Sequence, residues 1–288
     1  MGRPDFIIIG AMKCGTSTLY EQLDAQPGVF MCRPKEPNFF SDDDVYRRGV
    51  HWYEKLFDDA PADAVAGEAS THYAKLPTHP DTIDRLASGA PNAKFVYMMR
   101  HPIDRLVSHY IHDWSQRRIS APIDEALADA PELIEYGRYA YQIKPWLDRF
   151  GTARVLPVFL ERLTAAPAAE FARIGAFLSP AADFVWRDDL EPANVSAARI
   201  RPFPAYGLVV DNPVATALRR ALTPRALRDR VKQKLRLHER PALGCAARAR
   251  AVEAFDADLA ALGAMLGRPL DCANFKETVT AAPLVWAS

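Results

Sequence analysis

Cysteine is scarce in this chain and never clustered: four residues in 288, at Cys14, Cys32, Cys245 and Cys272. They form no CxxC pair and no zinc spacing, which excludes a zinc ribbon or a disulfide scaffold and leaves free thiols as the expectation. No apolar run reaches the ~18 residues of a membrane-spanning helix. The opening MGRPDFIIIGAMK has too short an apolar stretch for a signal peptide and no small-residue cleavage site. Met1-Gly2 lacks the Ser or Thr that myristoylation expects at position 6, where Phe6 stands. A cytoplasmic protein without a membrane span is therefore expected. Repeats, low-complexity tracts and a clean linker are missing too, so residues 1–288 read as a single domain. Net charge is absent: 36 Lys and Arg balance 36 Asp and Glu.

What is present starts with an ordinary globular core, at 49% apolar residues. The balanced charge is unevenly placed. Ser196 to Arg250 holds thirteen Lys and Arg against Asp211, Asp229 and Glu239. Such a stretch suits an anionic ligand or polyanionic substrate, and equally a set of solvated helix faces.

Phe6-Ile7-Ile8-Ile9 has the continuous apolar, β-branched character of a strand buried on both faces. A loop from Gly10 to Gly15 follows, and Thr16-Ser17-Thr18 opens a helix with Leu19 and Leu23 on its apolar face. Strand, glycine-bounded loop and helix N-terminus together make an anion-binding construction, because the first helical N–H groups lack intrahelical partners and the dipole favours negative charge. The spacing is that of a Walker A loop, yet Thr16 stands where its lysine belongs and Lys13 lies inside the loop. A tight turn in another α/β fold would show the same glycines. Cys14, beside the helix end, is either a loop filler or a thiol of lowered pKa.

Further along, Pro34 and Pro37 bracket Lys35-Glu36 and keep that piece extended. Val45 to Phe57 marks a helix or two short turns. Ala64–Ser70 reads as a strand and Thr78–Ser88 as a helix. Ala93–Met99 is a second clear strand, ending at Arg100-His101-Pro102, with a helix over Ile103–Arg118. Ala121–Glu135 is polar and proline-bounded and reads as a lid or insert. A helix over Tyr139–Phe150 precedes the strand Ala153–Phe159, where Pro157 argues for an edge or a late position. Helices are expected at Ala168–Leu178, Val214–Leu222, Arg225–Leu235 and Cys245–Leu266, with a loop over Asp189–Pro204. Alternating elements predict a parallel α/β sheet whose ligands lie at the carboxyl ends of the strands.

Two motifs, in this order, carry a family resemblance. GAMKCGTSTLYEQL resembles the 5′-phosphosulfate loop of sulfotransferases that use 3′-phosphoadenosine-5′-phosphosulfate (PAPS). FVYMMRHPIDRLVSHY resembles their 3′-phosphate motif, an Arg at a strand end with a Ser eight residues on. KEPNFF, HWYEKLF and GEASTHY resemble the sulfotransferase domains that act on heparan sulfate and their bacterial relatives. VLPVFLERL, NVSAARIRPF and FDADLAALGAMLGRPL fit more loosely, and the likeness runs from Phe6 to Leu270.

The resemblance implies a P-loop-NTPase-like three-layer α/β fold, with a central parallel sheet of about five strands and a helical C-terminal part. It implies sulfuryl transfer from PAPS, leaving 3′-phosphoadenosine-5′-phosphate (PAP), to a hydroxyl or amine of a carbohydrate or small natural product, with no metal and no nucleic acid. Lys13 would contact the sulfonate and the bridging oxygen. Thr16, Ser17 and Thr18, with loop N–H groups at Cys14 and Gly15, would hold the 5′-phosphate. Arg100 and Ser108 would hold the 3′-phosphate, with Arg199 or Arg201 closing over it. Glu36 would be the general base, and Lys35, His72 and His112 are candidates for the acceptor side. His109 and His112 are alternative bases; their ordinary reading is helix packing or surface. The animal glycan 3-O-sulfotransferases have a His at Asn38 and a Lys at Ala69, differences that bear on the acceptor and leave the donor assignment intact. An ATP-dependent kinase with an unusual loop and a non-catalytic polyanion-binding module are the competing readings.

Overall fold

The computed structural model describes residues 2–179, 183–190 and 240–287. Five parallel strands form its sheet: β1 (Phe6–Gly10), β2 (Val29–Met31), β3 (Val65–Ala69), β4 (Lys94–Met99) and β5 (Val155–Phe159), in the order β2-β3-β1-β4-β5. Every residue of β1 is buried, as its unbroken apolar run requires of a strand flanked on both edges and both faces. Phe6 sits opposite Gly67 of β3, and a Cβ on Gly67 would lie 2.1 Å from the Phe6 ring, so a glycine is needed to admit the aromatic. Pro157 lies in β5 at the sheet edge, where a missing N–H costs no ladder bond on the open side.

Helices cover the sheet. The first, α1 (Thr16–Asp24), buries Leu19 and Leu23 completely, each worth about 1.5–3 kcal/mol over exposure. Short α2 (Asp43–Tyr46) and α3 (Val50–Glu54) replace the single helix that was one of two options, with Asp42 capping the first through the Asp44 N–H. Next, α4 (Thr82–Gly89) starts four residues later than expected, because Pro80 pushes His79 out of the helical region. Then come α5 (Pro102–Ser115), α6 (Ile123–Asp129), α7 (Glu132–Glu135) and α8 (Tyr139–Phe150). The strand β5 runs into α9 (Leu160–Ala165) and α10 (Pro167–Leu178). Last are α11 (Cys245–Leu266), where the pattern placed it, and α12 (Phe275–Ala281), which the pattern missed.

The Ala121–Glu135 piece is not a loose insert. It forms α6 and α7, and Ile123, Ala126 and Leu133 are buried against Ile103, Leu106 and Val107 of α5 and Phe255 of α11. Three apolar positions suffice because the partner surface comes from α5 and from α11, a helix over a hundred residues away. The short strand β2 was also unread, since three residues carry too little period to register. Arg199, Arg201 and the two helices expected between Val214 and Leu235 lie outside the described residues. Among the described residues, no helix is long and apolar enough to cross a membrane.

Candidate active site

The carboxyl ends of β1, β3 and β4 bring the predicted residues together. After β1 the chain turns at Gly10–Gly15, and Gly15 begins α1 at φ 87°. A Cβ there would meet Leu160 Cδ1 at 2.7 Å, so glycine is demanded by both conformation and space. The first turn of α1 carries no acidic side chain, and its cap offers none to occupy the N–H groups. That leaves the helix N-terminus suited to an external anion. Lys13, inside the loop, holds φ 69°. Cys14 is fully buried, and burial pushes its thiol up to about 11, opposite to activation by the helix end. This burial fits the loop-filler reading of Cys14.

The Cys32–Asn38 segment runs past the end of β3. Cys32 N–H donates to Gly67 C=O (2.9 Å) and Glu36 N–H to Ala69 C=O (3.0 Å). Lys35 Nζ donates to Ser17 Oγ at 2.8 Å and stands 3.4 Å from Glu36 Oε1. Lys35 thus ties this segment to the start of α1. Glu36 accepts from Thr71 Oγ1 at 3.2 Å. Four non-glycine described residues have positive φ: Lys13, Glu36, Asn38 and Arg117. Two of them are the lysine and the carboxylate singled out from the sequence, and strain of this kind collects where a fold over-determines a working geometry.

Beneath this segment lies a network that sequence reasoning missed. Glu68, at 0% exposure, accepts from Tyr53 OH and from Ser70 Oγ (2.7 Å), and Ser70 Oγ in turn accepts from Asn38 N–H (3.0 Å). Burial raises the Glu68 carboxyl against the pull of its hydroxyl donors. The signal was available only as a carboxylate inside a strand.

Arg100 follows β4 directly. Its guanidinium makes no hydrogen bond or ion pair among the described residues, while its backbone is held by Tyr139 OH. Ser108 lies two turns into α5 and is buried. His101 Nε2 meets Cys272 C=O at 2.9 Å, which fixes the turn, as Pro102 at the helix start suggested.

On the far side of Met12 opens a cleft of about 940 Å³ walled by His72, Lys75, His79, His109, Asp113 and Tyr136. His72 follows Thr71, the hydroxyl donor to Glu36, so cleft and carboxylate share a wall. Burial lowers His72 to about 3 and His109 to about 4, so both are neutral at pH 7. His109 Nε2 pairs with Asp113 at 3.1 Å, the helix-packing role expected of it. His112 is not among the cleft's lining residues. Lys75 was not singled out from the sequence: it is 7% exposed, sits 5.5 Å from the Tyr136 ring, and is pushed down by burial to about 8. No three His, Cys, Asp or Glu side chains converge as a metal site among the described residues.

Comparison with known proteins bears on this geometry. The model of the sulfotransferase domain matches residues 3–191. Mouse heparan sulfate glucosamine 3-O-sulfotransferase 3B1 is 31% identical over 185 residues, covering 61% of this chain and 46% of that protein. Human heparan sulfate glucosamine 3-O-sulfotransferase 6 is 29% identical over 187 residues, covering 61% and 52%. The chain thus spans about half the length of the curated relatives it matches. The crystal structure of a sulfotransferase from Alicyclobacillus acidocaldarius superposes with a TM-score of 0.67 at 26% identity, over 93% of this chain and 97% of that one. The five-stranded parallel sheet, the loop after its central strand and the basic residue at the end of β4 are thus the frame of a chain that belongs to the sulfotransferase family, enzymes that transfer a sulfuryl group.

Proposed function

We propose that the protein transfers the sulfuryl group of PAPS to a hydroxyl or amine of a carbohydrate or small natural product. The observation that carries this reading is the backbone conformation that Lys13 and Glu36 share. Each is held at positive φ on its own loop, and the two loops are joined through the Lys35–Ser17 hydrogen bond. A cation beside a helix N-terminus suits a leaving 5′-phosphate, and the carboxylate beyond it suits a base. Arg100, a guanidinium without an ion pair among the described residues, supplies a second anion site of the kind a 3′-phosphate needs.

In this scheme the sulfur is weakly bonded to both oxygens at the transition state, by analogy with phosphoryl transfer. The bond from sulfur to the 5′-phosphate oxygen breaks, and Lys13 with the α1 N–H groups stabilises the charge that gathers there. The bond from sulfur to the acceptor forms as its proton passes to Glu36, giving PAP and a sulfate ester or sulfamate. Thr16, Ser17 and Thr18 hold the 5′-phosphate, and Ser108 assists Arg100. The names of the relatives point to a sugar as the acceptor, with the cleft beside His72 as its place.

Calorimetry separates this from a kinase. PAP should bind more tightly than adenosine 5′-monophosphate and than ATP–Mg2+; preference for ATP–Mg2+ would overturn the reading. Glu36→Gln should keep PAP affinity and lose about 10²–10⁴ in turnover, the worth of a positioned base. Parent-like turnover would move the base elsewhere.

A further inference from the structure

One hydroxyl touches both phosphate segments. Tyr139 opens α8 and is 0% exposed. Its OH donates to Arg100 C=O at 2.6 Å and accepts from Arg100 N–H at 3.2 Å. The same oxygen lies 3.5 Å from Cys14 Sγ, in the middle of the phosphate loop. A phenol has one proton and two acceptor sites. With the proton given to Arg100, the hydroxyl can only accept from the thiol, which also stands 3.8 Å from Met12 C=O. Burial holds the Cys14 proton in place, with the thiol raised to about 11.

Arg100 is the first residue beyond β4, where the ladder stops supplying partners. Its N–H and C=O would need other partners, and Tyr139 serves both. The next N–H, that of His101, goes to Glu161 Oε1 at 2.8 Å. The backbone that aims the guanidinium is therefore held by two side chains from other elements. Tyr139 is itself well anchored. Arg138, before it, gives α8 no side-chain cap, and Asp258 of α11 does so from a distance, accepting Ala140 N–H at 2.8 Å and Tyr141 N–H at 3.0 Å. The Tyr139 ring packs edge-on against Tyr97 of β4 at 6.2 Å. A continuous set of contacts runs from α11 through α8 to the two segments.

We propose that Tyr139 is a positioning residue that fixes the Arg100 backbone and the Gly10–Gly15 loop relative to each other, so that one buried hydroxyl sets the spacing of the two phosphate sites. This rests on the donor reading above, in which Arg100 takes the 3′-phosphate. A nucleotide carrying both phosphates senses that spacing; one carrying only the 5′-phosphate does not.

The test is the ratio of affinities for PAP and adenosine 5′-monophosphate, measured by calorimetry on the parent and on Tyr139→Phe. The variant keeps the ring and removes the hydroxyl. The ratio should fall about tenfold, the equivalent of one hydrogen bond of about 1.4 kcal/mol. In an Arg100→Ala background the same change should leave the ratio untouched. Equal weakening of both nucleotides, or an unchanged ratio, would show that Tyr139 only supports the fold and would overturn the proposal. Should Tyr139→Phe not fold, Asp258→Asn loosens the same helix end and should move the ratio in the same direction by a smaller factor; an unchanged ratio there overturns it as well. If the parent itself shows no preference for PAP, the donor reading falls first.

Discussion

At the carboxyl ends of β1 and β4, the polar groups of the candidate site come from backbone and from cations on short, tightly turned segments. Across Met12, under α5, α6 and α7, they come from titratable side chains buried in a cleft. The first region gets its geometry from chain conformation: Gly15 at φ 87°, Lys13 at φ 69° and a helix start without a side-chain cap. The second gets its character from burial, which neutralises His72 and His109 and lowers Lys75. Conformation of the first kind serves a donor of fixed shape. Burial of the second kind tunes hydrogen bonding and charge for whatever occupies the cleft, and it can differ between relatives without disturbing the loop.

The sharpest break of this comparison is at the loop. In the proposed scheme Lys13→Ala removes the cation that stabilises the leaving group, and should lower turnover by about 10²–10³, the usual effect of one oxyanion donor. Folding stability should change little, since the side chain is only partly buried. Steady-state kinetics with thermal unfolding on the same samples checks both. An equal loss of turnover from a cleft substitution away from Glu36 would mean the two regions are not separate in kind.

The second prediction concerns Lys75. Its folded pKa, about 8, is below the unfolded value of about 10.4, so between those pH values the unfolded chain binds more protons. Stability should rise with pH through that window and is held down below it. Lys75→Met removes the buried charge and gives up the contact with Tyr136, for a net gain of about 1–2 kcal/mol at pH 7. The gain should shrink as pH approaches 10.5. Denaturant unfolding at pH 7 and 10 measures it; equal or greater gain at pH 10 would remove burial as the cause. Glu36 and Asp113 raise the Lys75 pKa, while Arg118 and Arg105 lower it, so the window also reports on those neighbours.

The same contrast explains what could be read in advance. The strands β1 and β4, the loop and α1 were legible because two-sided burial writes an unbroken apolar run and the anion loop writes its glycines. Arg100 was legible because it follows the strand at once. Pro157 argued for an edge or a late position, and β5 lies at the edge. By contrast, α6 and α7 looked like an insert, since Ile123, Ala126 and Leu133 acquire partners only when α5 and α11 pack against them. Asp258 caps a helix 118 residues away, and no local pattern marks it. Lys75 reads as any surface lysine until the chain closes over it. Lys35 stands out in the sequence beside Glu36, but its hydrogen bond to Ser17, 18 residues back along the chain, is visible only in three dimensions.

The smallest effect is at the rim of the cleft. Arg118 Nη1 stands 3.7 Å from Asp113 Oδ1, yet its side chain is 69% exposed while that of Asp113 is only 6% exposed. An exposed guanidinium gains little from such a pair, because water screens it and ordering the long side chain costs entropy. Asp113 already accepts from His109 at 3.1 Å through its other oxygen, so losing the arginine does not strip the carboxylate of partners. Arg118→Ala should therefore shift unfolding by less than about 0.5 kcal/mol, and PAP affinity should stay at the parent value. A loss above about 1 kcal/mol would show that the pair helps hold the cleft together. The rim would then belong with the loop, as geometry the fold must maintain, rather than with the adjustable lining beneath it.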